Sequence, residues 1–265
     1  MSVVHRILRT LPIFSALAMA ATAAPLTAFK DGETFSYKVG YLLFSRAGDI
    51  VIAAQAATIA EKPVFRITTE TTSKGIVRGL YAFDNKAEVL VDQATGRLLS
   101  VRESGEDPKR ATDTEAAFDY DRRILKYTDR VRTDRSGDFA IPDGDPLDLI
   151  SALVQTRSWG LKPGEKRDML VNFGSKFFPL TIKAEKYETV WTPHGTYKTL
   201  LLVPRMEKDP QGIFKRGGEV KVWISQDERA LPVKMQLKLN FGTATLLLRD
   251  YEPGGGSGSK ELAAK

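Results

Sequence analysis

Cysteine is absent from the 265 residues, and histidine occurs only twice. The first absence excludes disulfides, thiolate metal sites, iron–sulfur clusters, cysteine nucleophiles and a lipid-modified N-terminal cysteine. The second excludes a three-histidine metal site. No charge of one sign dominates, since 39 Lys and Arg stand against 33 Asp and Glu. A nucleic-acid surface would cluster Lys and Arg with few acids between them. Residues 102–138 instead mix both signs densely, as a solvated face does, and no nucleic-acid partner is expected. What the chain does have is 13 Phe, 8 Tyr and 3 Trp in a composition that is 42% hydrophobic. That is material for a sizeable core and an argument against disorder. The length allows one or two domains, or a single β-barrel.

The N-terminus carries an address. Residues 1–28 hold Arg6 and Arg9, no acid, and an apolar stretch from Leu11 to Ala24 that ends in small residues. A basic start, a short apolar run and small residues form a secretory signal peptide. The run is shorter than the ~20 residues needed to span a bilayer, and Pro12 interrupts its start. Cleavage is expected after Ala20, Ala23 or Ala28, which makes the product periplasmic, soluble and not a lipoprotein. The signal removes two basic residues and no acid, so the net charge falls from +6 to +4. Residues 29–252 then read as one β-rich domain. The Gly/Ser-rich residues 253–265 read as a flexible tail.

Beyond the signal the dominant period is two. Phe35, Tyr37, Val39 and Tyr41 alternate with Ser36, Lys38 and Gly40, and Met235, Leu237, Leu239 and Phe241 alternate with Lys234, Gln236, Lys238 and Asn240. Turn residues punctuate such runs at Ala47-Gly48-Asp49, Asp92–Gly96, Thr192–Gly195 and Arg216–Gly218. One segment has helical spacing: Leu147, Ile150, Leu153 and Val154, with Asp145 as expected N-cap, Pro146 at the first position and Gly160 past the end. The expected architecture is mainly β: a large curved antiparallel sheet or half-open β-barrel, with one covering α-helix at about 146–159.

Leu200–Val203 and Leu246–Leu248 are apolar on both strand faces. Such runs are either central strands covered on both sides or walls of a lipid-sized cavity. On the second reading the candidate ligand-lining residues are Ile150, Leu153, Val154, Leu201, Val203 and Leu247. No catalytic constellation stands out. His194, the one histidine left after cleavage, sits in a Pro-His-Gly turn, and no nucleophile elbow precedes a helix. The acid pairs Asp119/Asp121 and Asp143/Asp145 read as surface, turn or cap residues. No metal site and no cofactor are expected.

Taken in order, several motifs resemble the exported bacterial family known as domain of unknown function 3108. They are Gly32-Glu33 with Phe35–Val39, Ala47-Gly48, Asp148–Leu153 with Arg157, and Leu161–Glu165. Glu188–Tyr197, Val222–Asp227 and Leu231-Pro232-Val233 complete the set. The resemblance covers about residues 29–251 and implies an exported, mostly β domain, with no activity to assign to any residue. At the level of fold it is similar to the half-open barrels of periplasmic lipoprotein carriers. The leading expectation is a non-enzymatic envelope protein that binds a lipid or acylated partner such as a lipoprotein inside a curved sheet. The alternative is a structural or interaction module with a filled barrel working through its rim or an exposed edge. A carboxylate-based glycan hydrolase is a remote third. The first expectation to test is export itself: intact-mass analysis of secreted material should show loss of the first 20 to 28 residues, and material still carrying Met1 would contradict it.

Overall fold

The computed structural model describes residues 28–80, 82–106, 111–211, 214–215, 217–239 and 242–255. The signal segment and the tail beyond Gly255 lie outside them. The chain forms β1 (Glu33–Tyr41), β2 (Phe44–Ile59), β3 (Lys62–Ser73), a short helix α1 (Gly75–Leu80), β4 (Asp84–Asp92), β5 (Leu98–Glu106), β6 (Thr112–Asp119), β7 (Ile124–Asp129) and β8 (Gly137–Ala140). It continues with β9 (Leu147–Asp148), α2 (Leu149–Gln155), β10 (Lys166–Phe173), β11 (Lys176–Thr192), β12 (Gly195–Arg205), β13 (Glu219–Ser225), β14 (Pro232–Leu239) and β15 (Gly242–Pro253).

All 15 strands belong to one sheet, ordered β8-β7-β6-β5-β4-β3-β2-β1-β15-β14-β13-β12-β11-β10-β9. Each strand pairs with its neighbours in sequence, except that the terminal strands β1 and β15 pair with each other and β8 and β9 stand at opposite edges. The fold is therefore a circular meander slit between β8 and β9. Pairing is antiparallel throughout, apart from the two-residue parallel contact of β9 with β10. The curl brings the two ends together through side chains: Phe177 of β11 packs on the small cluster of Ala116, Leu125 and Ile141. A curved, nearly closed sheet leaves little open edge, the hazard that a long β chain must manage.

The expected period of two is borne out. Phe35, Tyr37, Ile52, Ile67, Leu231, Val233 and Leu248 are almost fully buried in the main core. Tyr37 opposes Leu248 and Val39 opposes Leu246, whereas Lys38 opposes Leu247. Leu246 and Leu248 therefore face inward and Leu247 outward. Glycine is required where the turns demand positive φ, as at Gly164 (φ 92°) in the turn before β10. The tail begins later than expected: Gly254 lies so close to Asp31 that a Cβ would sit 2.3 Å from its carbonyl oxygen. Gly255 N–H donates to the same oxygen at 2.7 Å.

The helix is shorter than its spacing suggests. Leu147 and Asp148 are recruited into pairing with Val171 and Asn172, so Asp148 rather than Asp145 caps the helix. Its carboxylate accepts N–H bonds from Ile150 (2.9 Å) and Ser151 (3.3 Å). A 3₁₀ turn (Thr156–Ser158) continues α2 and delivers Arg157 to the start of β1. There Arg157 Nη1 bonds Glu33 Oε1 (2.9 Å) and the Ala28 carbonyl (2.9 Å), and Nη2 bonds the Arg229 carbonyl (2.8 Å). Tyr251 donates to the same Glu33 carboxylate at 2.7 Å, and burial with that bond pushes the Tyr251 hydroxyl up to about 12. Glu33 is 0% and Arg157 6% exposed at the side chain. Removing one partner of such a buried pair leaves an uncompensated charge and costs ~3–5 kcal/mol. Arg157→Ala should lose stability on that scale in urea unfolding, and Glu33→Leu with Arg157→Met should recover most of it. A single-variant loss below ~1 kcal/mol, the size of an exposed pair, would contradict this role.

Candidate functional site

β10 pairs with β11 along its whole length, but on its other side it meets β9 only at Val171 and Asn172. Among the described residues, Lys166–Leu170 thus have no strand partner on that side, so they form a free edge at one end of the sheet, as β8 does at the other. A cleft of about 640 Å³ runs along this edge. Its floor includes Leu147, Trp159, Met169 and Leu180, and its rim carries Asp143, Asp145, Arg167, Asp168, Glu207 and Lys208. The cleft touches both faces of the edge strand, with Arg167 and Met169 on one and Asp168 and Leu170 on the other.

The walls are held from three sides. The end of α2 supplies Gln155 and, one turn on, Trp159, whose ring lies 5.0 Å below the Arg167 guanidinium. Asp145 is fixed by Arg97 from the turn before β5 at 3.1 Å, and Asp168 accepts a bond from the Thr181 hydroxyl at 2.7 Å. Gln155 is buried, its amide nitrogen donates to Ser158 Oγ at 3.1 Å, and among the described residues its Oε1 has no hydrogen-bond partner.

The six residues singled out from sequence are not gathered in one cavity. Ile150, Leu153 and Val154 pack into the main core from α2. Leu201 and Val203 are buried on the face of β12 opposite Leu200 and Leu202, with Leu201 in register with Trp223. Leu247 faces outward and lines a separate groove of about 350 Å³ with Lys38, Trp191 and Pro193. That face is partly covered by β11, which a bulge between Ala184 and Lys186 redirects across β14 and β15. Glu188 there accepts from the Trp223 indole N–H, and Lys234 Nζ sits 4.3 Å from the Trp223 ring. Leu200–Val203 is therefore a strand covered on both sides, whereas Leu246–Leu248 is covered on its inner face and borders the groove on its outer one.

The acids and His194 take structural places. Asp119 Oδ1 accepts from Arg122 N–H in a turn. His194 N–H donates to the Leu248 carbonyl at 3.1 Å, and its ring contacts Tyr197 in the β11–β12 hairpin. Among the described residues no group of three or more His, Asp or Glu is placed to hold a metal ion. Likewise no described helix is long and apolar enough to cross a membrane. Sequence reading missed the whole cleft. The faint alternation of Met169 and Val171 with Asp168 and Asn172 was the available signal, but no local pattern tells an edge strand from a central one.

A buried carboxyl, Asp148, and a half-buried one, Glu103, lie near each other beside the cleft. Burial pushes Asp148 above the usual carboxylate range, against the N–H bonds it accepts. Burial and the nearby Asp148 charge push Glu103 up as well. A carboxylate raised in the folded state costs stability as pH climbs from the unfolded value, ~4, through the folded one. Asn keeps the capping oxygen without the charge. Asp148→Asn should therefore match the wild-type melting temperature near about pH 4 and exceed it increasingly toward about pH 7. A gap that does not widen with pH would show that Asp148 is not raised.

The profile of proteins of unknown function DUF3108 matches residues 36–249. No curated protein sequence matches the chain. Among solved structures, a β-barrel-like DUF1849 protein from Brucella abortus aligns with TM-score 0.54 at 10% identity, over 85% of this chain and 99% of that one. A Bacteroides fragilis protein with a YmcC-like fold, provisionally described as exported, aligns with TM-score 0.32 at 12% identity, over 84% and 96%. The first likeness concerns the curled sheet alone. With the match running from within β1 into β15, the chain belongs to the DUF3108 family.

Proposed function

We propose that the mature chain is a non-enzymatic protein of the cell envelope that receives an extended segment of a partner along the free edge of β10. The observation that carries this reading is the coincidence of an unpaired strand edge with the 640 Å³ cleft that opens on both of its faces. A strand added at such an edge gains main-chain hydrogen bonds, and its alternate side chains enter pockets on either side. Five residues at ~3.3 Å each give an edge of ~17 Å. Trp159, Met169 and Leu180 offer apolar contacts, and Arg167 and Asp168 offer charges of both signs.

The export address supports the envelope setting, and the contacts of Ala28 favour the two earlier of the expected cleavage points. Ala28 is buried and its carbonyl accepts a bond from Arg157. Cleavage after Ala28 would remove that acceptor, so we expect the mature N-terminus at Ala21 or Ala24.

A second reading rests on the same floor. Leu147, Trp159, Met169 and Leu180 form an apolar surface, and the volume falls in the ~300–1,000 Å³ range of small-molecule pockets. An acyl chain or acylated partner could lie there, whereas the sheet interior is filled by Phe35, Tyr37, Leu231 and their neighbours. Peptide display on the mature domain, followed by hydrogen exchange with a selected peptide, separates the two. The expected result is new protection confined to the amides of residues 166–170, with affinity reduced at least ~tenfold by Thr181→Trp, which crowds the cleft. Saturable displacement of a fluorescent fatty acid, without peptide protection at that edge, would transfer the cleft to the acyl reading.

A further inference from the structure

The β1–β2 hairpin ends in Leu42-Leu43-Phe44, and its tip points its apolar side chains at solvent: Leu43 is 98% and Leu42 62% exposed. Leu42 holds a φ of 52°, a left-handed conformation that a branched apolar residue adopts at a cost and that glycine or asparagine would adopt readily. Trp191, 67% exposed, and Pro193 stand beside it on the β11–β12 hairpin. The two tips flank the 350 Å³ groove, whose floor is Lys38, Gly40, Thr243, Thr245 and Leu247.

The tip is held in place. Leu42 N–H donates to the Thr243 carbonyl at 3.3 Å, and the Leu42 side chain packs so close to Gly242 that a Cβ there would sit 2.6 Å away. The charge around it has one sign. Lys38 lies in the groove, exposed Arg46 follows the tip by two residues, and Lys238 faces Thr243 across β14–β15. None of the three has an ion-pair partner among the described residues, and no acid lines the groove. The nearest acid along the strand pair, Asp49, is already paired with Lys74 and Arg249.

From this arrangement we propose that the paired hairpin tips dock the protein on an anionic bilayer surface, with Leu42, Leu43, Phe44 and Trp191 entering the interface and Lys38, Arg46 and Lys238 meeting lipid phosphates. Exposed aliphatic and aromatic side chains rimmed by cations are the composition of an interfacial anchor, with tryptophan at headgroup depth. Each cation near an anionic surface adds attraction that salt screens. A water-facing protein patch would more often break up such an apolar cluster. The site shares no residue with the cleft at β10, so it stands whether or not that cleft binds a strand.

The test uses the mature domain and vesicles of phosphatidylglycerol with phosphatidylethanolamine, against vesicles of phosphatidylcholine alone. Co-sedimentation should show saturable binding to the anionic vesicles, weakened at least ~tenfold on the neutral ones or in high salt. Leu43→Asp should weaken it by ~tenfold or more, as expected for taking one leucine out of an apolar phase, with an unchanged melting temperature because Leu43 touches little. Lys38→Glu with Arg46→Glu should remove the preference for anionic vesicles. Lipids brominated in the acyl chain should quench the wild type more than Trp191→Phe. No wild-type partition to either vesicle, or undiminished binding by folded Leu43→Asp, would overturn the proposal. So would a Leu43-dependent dimer in sedimentation velocity without vesicle binding, which would make the tip an interface between copies.

Discussion

The buried pair of Glu33 and Arg157 is the constraint on which this fold closes. Two charges removed from water each carry a penalty of several kcal/mol, offset only when every lone pair and proton finds a partner. Here they do. Glu33 accepts from Arg157, from the Tyr251 hydroxyl and from the Lys30 N–H, while Arg157 also serves the carbonyls of Ala28 and Arg229. Four segments distant in sequence are thereby tied together: the chain entering β1, the end of β15, the turn after α2, and the loop between β13 and β14. That loop is itself braced by Ser225, which receives the Leu231 N–H and donates to Asp227, the partner of Arg229. The guanidinium also lies 5.3 Å from the Phe35 ring, so the polar knot grades into the aromatic core without a gap.

This knot determines what the opposite side of the barrel can be. Arg157 belongs to the turn that ends α2, so fixing it also fixes Gln155 and Trp159, the residues that overlook the free edge of β10. With α2 held against the inner face, the lumen fills with side chains and the space left over lies at the slit, where β9 pairs for only two residues. A closed barrel would have hidden that edge, and an open sheet would have exposed much more of it. The slit is the intermediate outcome: β9 stops after two paired residues because the chain turns into α2 at Leu149.

Much of the sheet was legible in the sequence because a half-buried strand writes its burial in alternation. Phe35 and Tyr37 against Ser36 and Lys38 is a local pattern, and the structure places them on the two faces that pattern requires. The helix core of Leu153 and Val154 was legible for the same reason at helical spacing. Its start was not, because Leu147 and Asp148 are claimed by pairing with Val171 and Asn172, a contact between segments more than 20 residues apart. The doubly apolar runs left two readings open for a related reason. Leu201 is in register with Trp223, which bonds Glu188 of β11 past its bulge, and nothing near Leu201 encodes that bulge. The cleft was the least legible feature: an edge is defined by the strand that is missing beside it, and an absent neighbour leaves no mark on Lys166–Leu170.

The same reasoning explains why both candidate contact surfaces lie where pairing stops. Within a curled sheet, each interior strand spends its backbone groups on two neighbours and one face on the core, which leaves little with which to recognise anything. Unspent capacity remains in two kinds of place: along an edge, where amides and carbonyls lack a partner, and at a hairpin tip, where side chains project beyond the last cross-strand bond. Lys166–Leu170 is the first kind and Leu42–Phe44 the second. β1 joins the second to the knot, since Glu33 begins it and the tip follows its end, eight residues or ~26 Å away. A rigid strand anchored at one end by a buried ion pair holds its far end in a defined position. An exposed leucine with positive φ is thereby kept facing outward when a freely moving loop would fold it back onto the sheet.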